Sequence, residues 1–385
     1  MSEPQEPPPP TIVHARHAER MRYIDTLRAV AALLVVWLHS AAIFGRINTH
    51  TPAPDNWLAI VPDRIDVGHI GVVVFFLISG FVIPFSIRAE TVAPASSFLI
   101  KRFFRIFPAY WLSVPLAAAA NFWIWGTSFD RRDLIINFAM LQDAFGVRPA
   151  AAIYWTLSVE MIFYLLCVLL LLTGSLFRMR RVGALSALLA IAFAAMLPMY
   201  GRMRPPMSES AVLWFLNLSV MLWGTLYRGW IDSAPMERDR FGRWMLGGLL
   251  IGYVIVLPAI AFASSAYMRN TMATYVIGFA IFLLGTRVVR IETRLTDWLG
   301  RISYSIYLFH TIVFISIAWW LLKQPENSWW RAHALGTYAA VATLIALAIA
   351  DLVYRFVERP GIRIGHRLAT RWAMRSARGS AQAVM

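Results

Sequence analysis

The sequence predicts an all-α, polytopic membrane protein with about ten transmembrane helices and both termini cytoplasmic. Three observations carry this. The chain of 385 residues is 59% hydrophobic, with a mean hydropathy of +0.59, whereas soluble domains hold about 45–50% apolar residues. Apolar stretches long enough to cross a bilayer recur along the whole length, and the short-period alternation of a β-barrel is absent. Lysine and arginine collect on the side that an even number of spans assigns to both ends of the chain, which the positive-inside rule makes cytoplasmic.

In chain order, residues 1–21 are polar, with PPPP at 7–10, and are expected to form a disordered cytoplasmic tail. The first apolar run holds Arg28 and His39 and lacks a clear small-residue cleavage site, so no cleavable signal is expected. Spans are expected near 27–45, 68–87, 106–126, 153–173, 183–200, 211–230, 244–263, 271–288, 302–322 and 335–354. Residues 22–360 form one membrane domain, followed by a basic cytoplasmic tail, 361–385, expected to be disordered. The outward segments 46–67 and 127–152 are too short to bury cores of their own. Tryptophans near span ends, such as Trp123, Trp125, Trp319 and Trp320, suit the membrane interface. The single cysteine, Cys167, excludes an internal disulfide framework. The net charge of +15 is dispersed between spans, which argues against nucleic acid and for contact with membrane lipids.

The ionisable residues inside the spans are the candidate site. Glu160 interrupts the run YWTLSVEMIFYLLCVLLLLTG, 154–174. A charge in a bilayer core costs about 2.5–3.5 kcal/mol on insertion scales, so such groups are usually functional. His39 lies in LRAVAALLVVWLHSAAIFG, 27–45. It is about 16 Å deeper than Arg28, counted from the inner face, and Glu160 is about 10 Å in from the outer face beyond Ile153. The two come out at similar heights and are expected to pair. The imidazole would act as a general base and the carboxylate would orient and charge-balance it. The plainer reading of His39 is a packed polar residue.

Other candidates have similar pairs of readings. Asp25 and Arg28, in RYIDTLRAVAALL, form either an interfacial anchor or a guanidinium facing a phosphate or an acyl thioester. Arg102 and Arg105, three apart in FLIKRFFRIFPAYW, share a helix face. With Lys101 they either rest on anionic lipid or grip a phosphorylated cofactor. Ser79 and Gly80, in GVVVFFLISGFVI, suit close helix packing; Ser79 as a nucleophile lacks a neighbouring base. His310, with Tyr304 and Tyr307 in GRISYSIYLFHTIVF, is either structural or site-lining. Asp351 falls at the interface. No metal-ligand spacing occurs, so no metal is expected.

These segments together resemble the membrane acyltransferase family 3. The resemblance rests on RYIDTLRAVAALLVVWLHS, GVVVFFLISGF, KRFFRIFPAYW, WTLSVEMIFYLL, RISYSIYLFH and VERP (357–360), six motifs in order from 22 to 360. It implies an integral inner-membrane O-acyltransferase. Such an enzyme takes an acyl group, often acetyl, from cytoplasmic acyl-CoA to a hydroxyl of an extracytoplasmic glycan, lipid-linked saccharide or secondary metabolite. The family's first-span arginine and histidine fall on Arg28 and His39, its Arg-x-x-Arg motif on Arg102 and Arg105, and its fourth-span glutamate on Glu160. Many members have a second acid after that glutamate, where this chain has Met161. Acyl-CoA would be a substrate, with no permanently bound cofactor. His39 would deprotonate the acceptor or carry the acyl group transiently. A transporter or flippase is the rival that intramembrane charges also suit.

Overall fold

The computed structural model describes residues 21–45, 57–87, 92–197, 209–232, 240–262 and 266–382. The expected disordered tail at 1–20 lies outside them. Among the described residues the chain is helical and contains no strand. The first half comprises α1 (Arg22–Phe44), α2 (Trp57–Arg64), α3 (Val67–Val82), α4 (Pro94–Trp125), α5 (Arg131–Phe138) and α6 (Trp155–Leu172). The second comprises α7 (Met179–Met196), α8 (Glu209–Asp232), α9 (Arg240–Ile251), α10 (Leu257–Phe262), α11 (Ala266–Arg287), α12 (Arg294–Leu322), α13 (Leu335–Val353) and α14 (Arg359–Gln382).

Nine helical stretches among the described residues are long and apolar enough to cross a membrane, and each overlaps an expected span. The remaining expected span, 211–230, is α8. It has 24 residues, ample for about 30 Å of hydrocarbon. The protein is therefore a multi-pass, all-α membrane protein.

Local signals set the boundaries. Asp66 caps α3, its carboxylate accepting from the His69 N–H at 2.8 Å. Pro94 opens α4, and Gly126, at φ +60°, closes it. Thr293 and Thr296 form a reciprocal capping box at the start of α12.

Helices α1, α3 and α12 form the centre, with α13 and α2 on one flank and α8 and α11 on another; α7 and α9 pack outside α8. Close approach here depends on missing side chains. A Cβ at Gly80 would overlap the Met221 carbonyl of α8, and one at Gly224 would lie 2.6 Å from the Leu77 carbonyl of α3. Thr225 Oγ1 closes this crossing by donating to the Gly80 carbonyl at 3.0 Å. Gly300 lets α12 ride directly on the backbone of Asp25, which brings the N-terminal end of α1 against α12.

Helix polarity follows from side-chain contacts. Tyr304 of α12 donates to the Ile106 carbonyl of α4 at 2.9 Å, and farther along Trp319 and Trp123 lie 6.3 Å apart, so α4 and α12 run parallel. Arg102 covers the ring of Tyr164, while Tyr110 meets Tyr154 at 4.9 Å, so α6 runs antiparallel to both.

The tail beyond residue 360 differs from the expected disorder. After a π-helical turn at Tyr354–Glu358 the chain continues as α14, packed along α4. Its small and apolar residues Gly361, Gly365, Leu368, Ala369 and Trp372 recur at helical spacing between the arginines, a period hidden by the charge density. Pro108 has no N–H to offer the Phe104 carbonyl, and a Cβ on Gly361 would lie 2.6 Å from that oxygen.

A paired substitution tests these crossings. Gly80→Ala is expected to destabilise the protein by about 1–3 kcal/mol or more through overpacking against backbone. Gly247→Ala, where an added Cβ meets nothing within 4 Å, is expected to be neutral or to gain up to about 1 kcal/mol of helix propensity. Thermal unfolding of purified protein in detergent measures both.

Candidate active site

Five helices enclose a cavity of about 100 Å³. Arg28 comes from α1, Ser79 from α3, Arg102 and Arg105 from α4, Thr156, Glu160 and Tyr164 from α6, and Ser303, Tyr304 and Tyr307 from α12. Seven residues singled out from the sequence thus share one space: Arg28, Ser79, Arg102, Arg105, Glu160, Tyr304 and Tyr307. Phe75, Phe76, Val72 and Ile78 supply an apolar wall.

Each charged group is held. Arg102 donates to Ser86 Oγ at 2.8 Å and stands over the rings of Phe98 and Tyr164, both at 5.4 Å. Arg28 lies 3.8 Å from Asp25, which is buried but is not a cavity wall. Tyr164, one turn from Glu160, donates to its carboxylate at 2.5 Å. Arg105 reaches Glu358, with Nη1 to Oε1 at 3.9 Å. Glu358 is 0% exposed; Ser305 Oγ donates to its Oε2 at 2.9 Å, while Oε1 has no hydrogen-bond partner among the described residues. It sits in the π-helical turn before α14.

His39 is not in this cavity, and its partner is not Glu160. Its Nδ1 lies 2.9 Å from the Val35 carbonyl and 3.1 Å from Nε2 of His310. The two rings are 5.0 Å apart and tilted by 53°. His310 is 0% exposed, and its own Nδ1 lies 2.9 Å from the Ile306 carbonyl.

Tyr307 separates the two groups. Its hydroxyl donates to the Ile153 carbonyl at 2.9 Å and lies 2.7 Å from Thr156 Oγ1. Its ring forms a cavity wall and stands 6.2 Å from that of His310. Because α6 and α12 are antiparallel, Glu160 lies one turn from this layer on the arginine side and His310 almost one turn from it on the opposite side. That is a separation of about 10 Å in depth at 1.5 Å per residue.

The expected equality of depth fails for a physical reason. Counting from Ile153 assumed that this residue marks the membrane surface. Instead Ala150, Ile153 and Tyr154 are buried, covered by the segment that includes α5: Asn137 accepts from the Ala150 N–H at 2.8 Å, and Tyr110 donates to the Asn137 carbonyl at 2.6 Å. Helix α6 therefore starts inside the protein rather than at its edge, and Glu160 falls among the arginines.

Sequence reasoning also passed over Glu358. VERP was noted as a motif, but the last span was closed at 354. The apolar residues on either side of Arg355 were the signal that the helix continues. No cluster of three or more metal-ligating side chains occurs among the described residues.

Chemically, the cavity offers three guanidiniums to an anion, and the histidine pair lies beyond it. A profile of the acyltransferase domain family matches residues 21–355. Nodulation protein 10 of Rhizobium leguminosarum bv. viciae is 25% identical, with 90% of this chain and 95% of that protein aligned. BcsY of Komagataeibacter xylinus, whose name proposes a membrane-bound transacylase, is 27% identical over 90% of this chain and 84% of its own. The exopolysaccharide production protein ExoZ of Rhizobium meliloti (strain 1021) is 27% identical, over 78% and 91%. No solved structure matches. The family match spans most of the chain, and with the six ordered motifs it makes this protein a multi-pass acyltransferase of the membrane acyltransferase family 3.

Proposed function

We propose that the protein moves an acyl group, acetyl in the simplest case, from acyl-CoA on the cytoplasmic side of the plasma (bacterial inner) membrane to a hydroxyl of a saccharide presented from the other side. The observation that carries this reading is the cavity with Arg28, Arg102 and Arg105 at one level and the His39–His310 pair beyond Tyr307. Guanidiniums are suited to the phosphates of a nucleotide donor. The relatives named for exopolysaccharide production and as a transacylase support a polysaccharide acceptor. Both termini belong on the cytoplasmic side by the positive-inside rule, which puts the arginine end of the cavity there.

In this reading the donor's charged end docks on the arginines and its thioester lies toward Tyr307. His39 takes the proton from the acceptor hydroxyl as its oxygen attacks the thioester carbonyl. The tetrahedral intermediate collapses with cleavage of the C–S bond, and the proton passes from His39 to the departing thiolate. The products are an acyl ester and free CoA thiol. Glu160 acts as the counter-charge that lets three guanidiniums share a membrane cavity, held by Tyr164.

Host membrane vesicles, which carry their own acceptors, supplied with [¹⁴C]acetyl-CoA give the direct test. Label is expected in the saccharide fraction and base-labile; no transfer above that of vesicles lacking the protein would end the reading. His39→Ala is expected to lower transfer by about 10²-fold or more, the usual contribution of a general base. Its CoA affinity by calorimetry should be unchanged, because the histidine lies outside the cavity.

The arginines should behave in the opposite way. Arg102→Ala is expected to weaken CoA binding about tenfold or more, as a charged hydrogen bond contributes roughly 1.5–3 kcal/mol. Unaltered affinity would return the segment to a lipid-anchoring role.

Arg105→Ala leaves Glu358 buried and uncompensated, a loss of about 3–5 kcal/mol. Adding Glu358→Gln is expected to restore thermal stability without restoring CoA affinity. If both recover together, Arg105 serves only to neutralise Glu358.

A further inference from the structure

The hydrogen positions on the two histidines follow from their surroundings. A carbonyl oxygen 2.9 Å from a ring nitrogen requires a proton between them. Val35 therefore fixes a proton on Nδ1 of His39, and Ile306 fixes one on Nδ1 of His310. In the neutral pair, Nε2 of His310 then carries a lone pair. It lies 3.1 Å from the protonated Nδ1 of His39, so that N–H is shared between the Val35 carbonyl and His310. The reverse arrangement, with His310 donating to Nδ1 of His39, would set a lone pair against each carbonyl.

We propose that His310 is the positioning residue of this site. It holds His39 with Nδ1 protonated and Nε2 free as the base, and its own Nε2 lone pair stabilises the imidazolium formed when His39 takes the acceptor proton. This is the work that a carboxylate does in a serine–histidine–aspartate triad. Here a neutral imidazole does it. Such a partner suits a site inside a membrane: a second ionised group beside His39 would need its own compensation in the bilayer. His310 is itself oriented from α12 by Ile306 and walled by Phe314, with rings 5.8 Å apart. The inference rests on the proposed role of His39, and the following experiment separates the two.

The chain has 8 histidines, so protein labelled only with [¹⁵N]histidine gives a sparse spectrum. In lipid nanodiscs, His39 and His310, assigned by the loss of signals in His39→Asn and His310→Leu, are expected in the Nδ1–H form. A through-hydrogen-bond ¹⁵N–¹⁵N coupling should join Nδ1 of His39 to Nε2 of His310. The acetyl-CoA vesicle assay supplies the second readout. His310→Leu is expected to lower kcat by about tenfold or more with the donor KM unchanged. His310→Gln, whose Oε1 can accept in place of Nε2, should recover most of that loss at equal membrane abundance. An Nε2-protonated His39, a missing coupling, or equal kcat loss in the Leu and Gln variants would overturn the proposal. Wild-type kcat in His310→Leu would do the same while leaving the role of His39 intact. Full transfer by His39→Ala would instead defeat the base itself, even with the coupling present.

Discussion

A guanidinium keeps its charge inside a bilayer, so Arg28, Arg102 and Arg105 must each be met by an anion, a ring face or a polar oxygen before the surrounding helices can close. The structure supplies all three kinds: Asp25 for Arg28, the Phe98 and Tyr164 rings and Ser86 for Arg102, and Glu358 for Arg105. None of the two ion pairs is tight, at 3.8 and 3.9 Å. Contacts of that length compensate charge without saturating the donors. A phosphate entering the cavity could then be gripped by N–H groups that are not already committed. The buried carboxylates are placed for the same reason. Glu358 is anchored through Ser305 on its far oxygen, while its near oxygen faces Arg105 without a hydrogen bond.

Tyrosine hydroxyls keep the cavity walls in register. Tyr304 ties α12 to α4, Tyr307 ties α12 to the turn before α6, and Tyr110 ties α4 to the end of α5, each by donating to a backbone carbonyl. Every such bond satisfies a phenol, and each one also fixes the relative height of two helices. Gly300 and Gly80 contribute differently, by letting backbones touch. The heights of Arg28, Glu160 and Tyr307 are therefore set by a few directional bonds and close crossings. The long apolar faces around them fill space and are not directional in the same way.

That division explains what could be read from the sequence. The helices are legible because a bilayer demands long apolar runs whatever the tertiary arrangement. Arg28, Arg102, Arg105 and Glu160 are legible because charge in such runs is conspicuous. Their convergence in one cavity is a property of helix order and crossing points, which no single run encodes. The expected His39–Glu160 pair shows the limit. It depended on where α6 enters the membrane, and that depth is decided by the cover over Ala150–Tyr154, a tertiary feature. Glu358 and α14 were obscured by their arginines, whose number suggested a solvated tail, although the small residues opposite α4 carry a helical period.

The Tyr307 layer gives the site its direction. On one side of it lie charged groups that can bind an anion; on the other lie two imidazoles that can exchange a proton. In the proposed function, a donor and an acceptor approaching from opposite sides would meet across this layer. The layer is thin, one tyrosine ring and one threonine hydroxyl, and Tyr307 is held at its hydroxyl end, by Ile153 and Thr156. A thioester that reached this point would displace neither carbonyl bond of the histidine pair, since Val35 and Ile306 belong to the same helices as the rings they hold. The His39 ring is thus oriented by its own helix and its neighbour's side chain, independently of the arginine cavity. Binding a charged donor and activating a hydroxyl can then be served by separate groups about two helical turns apart.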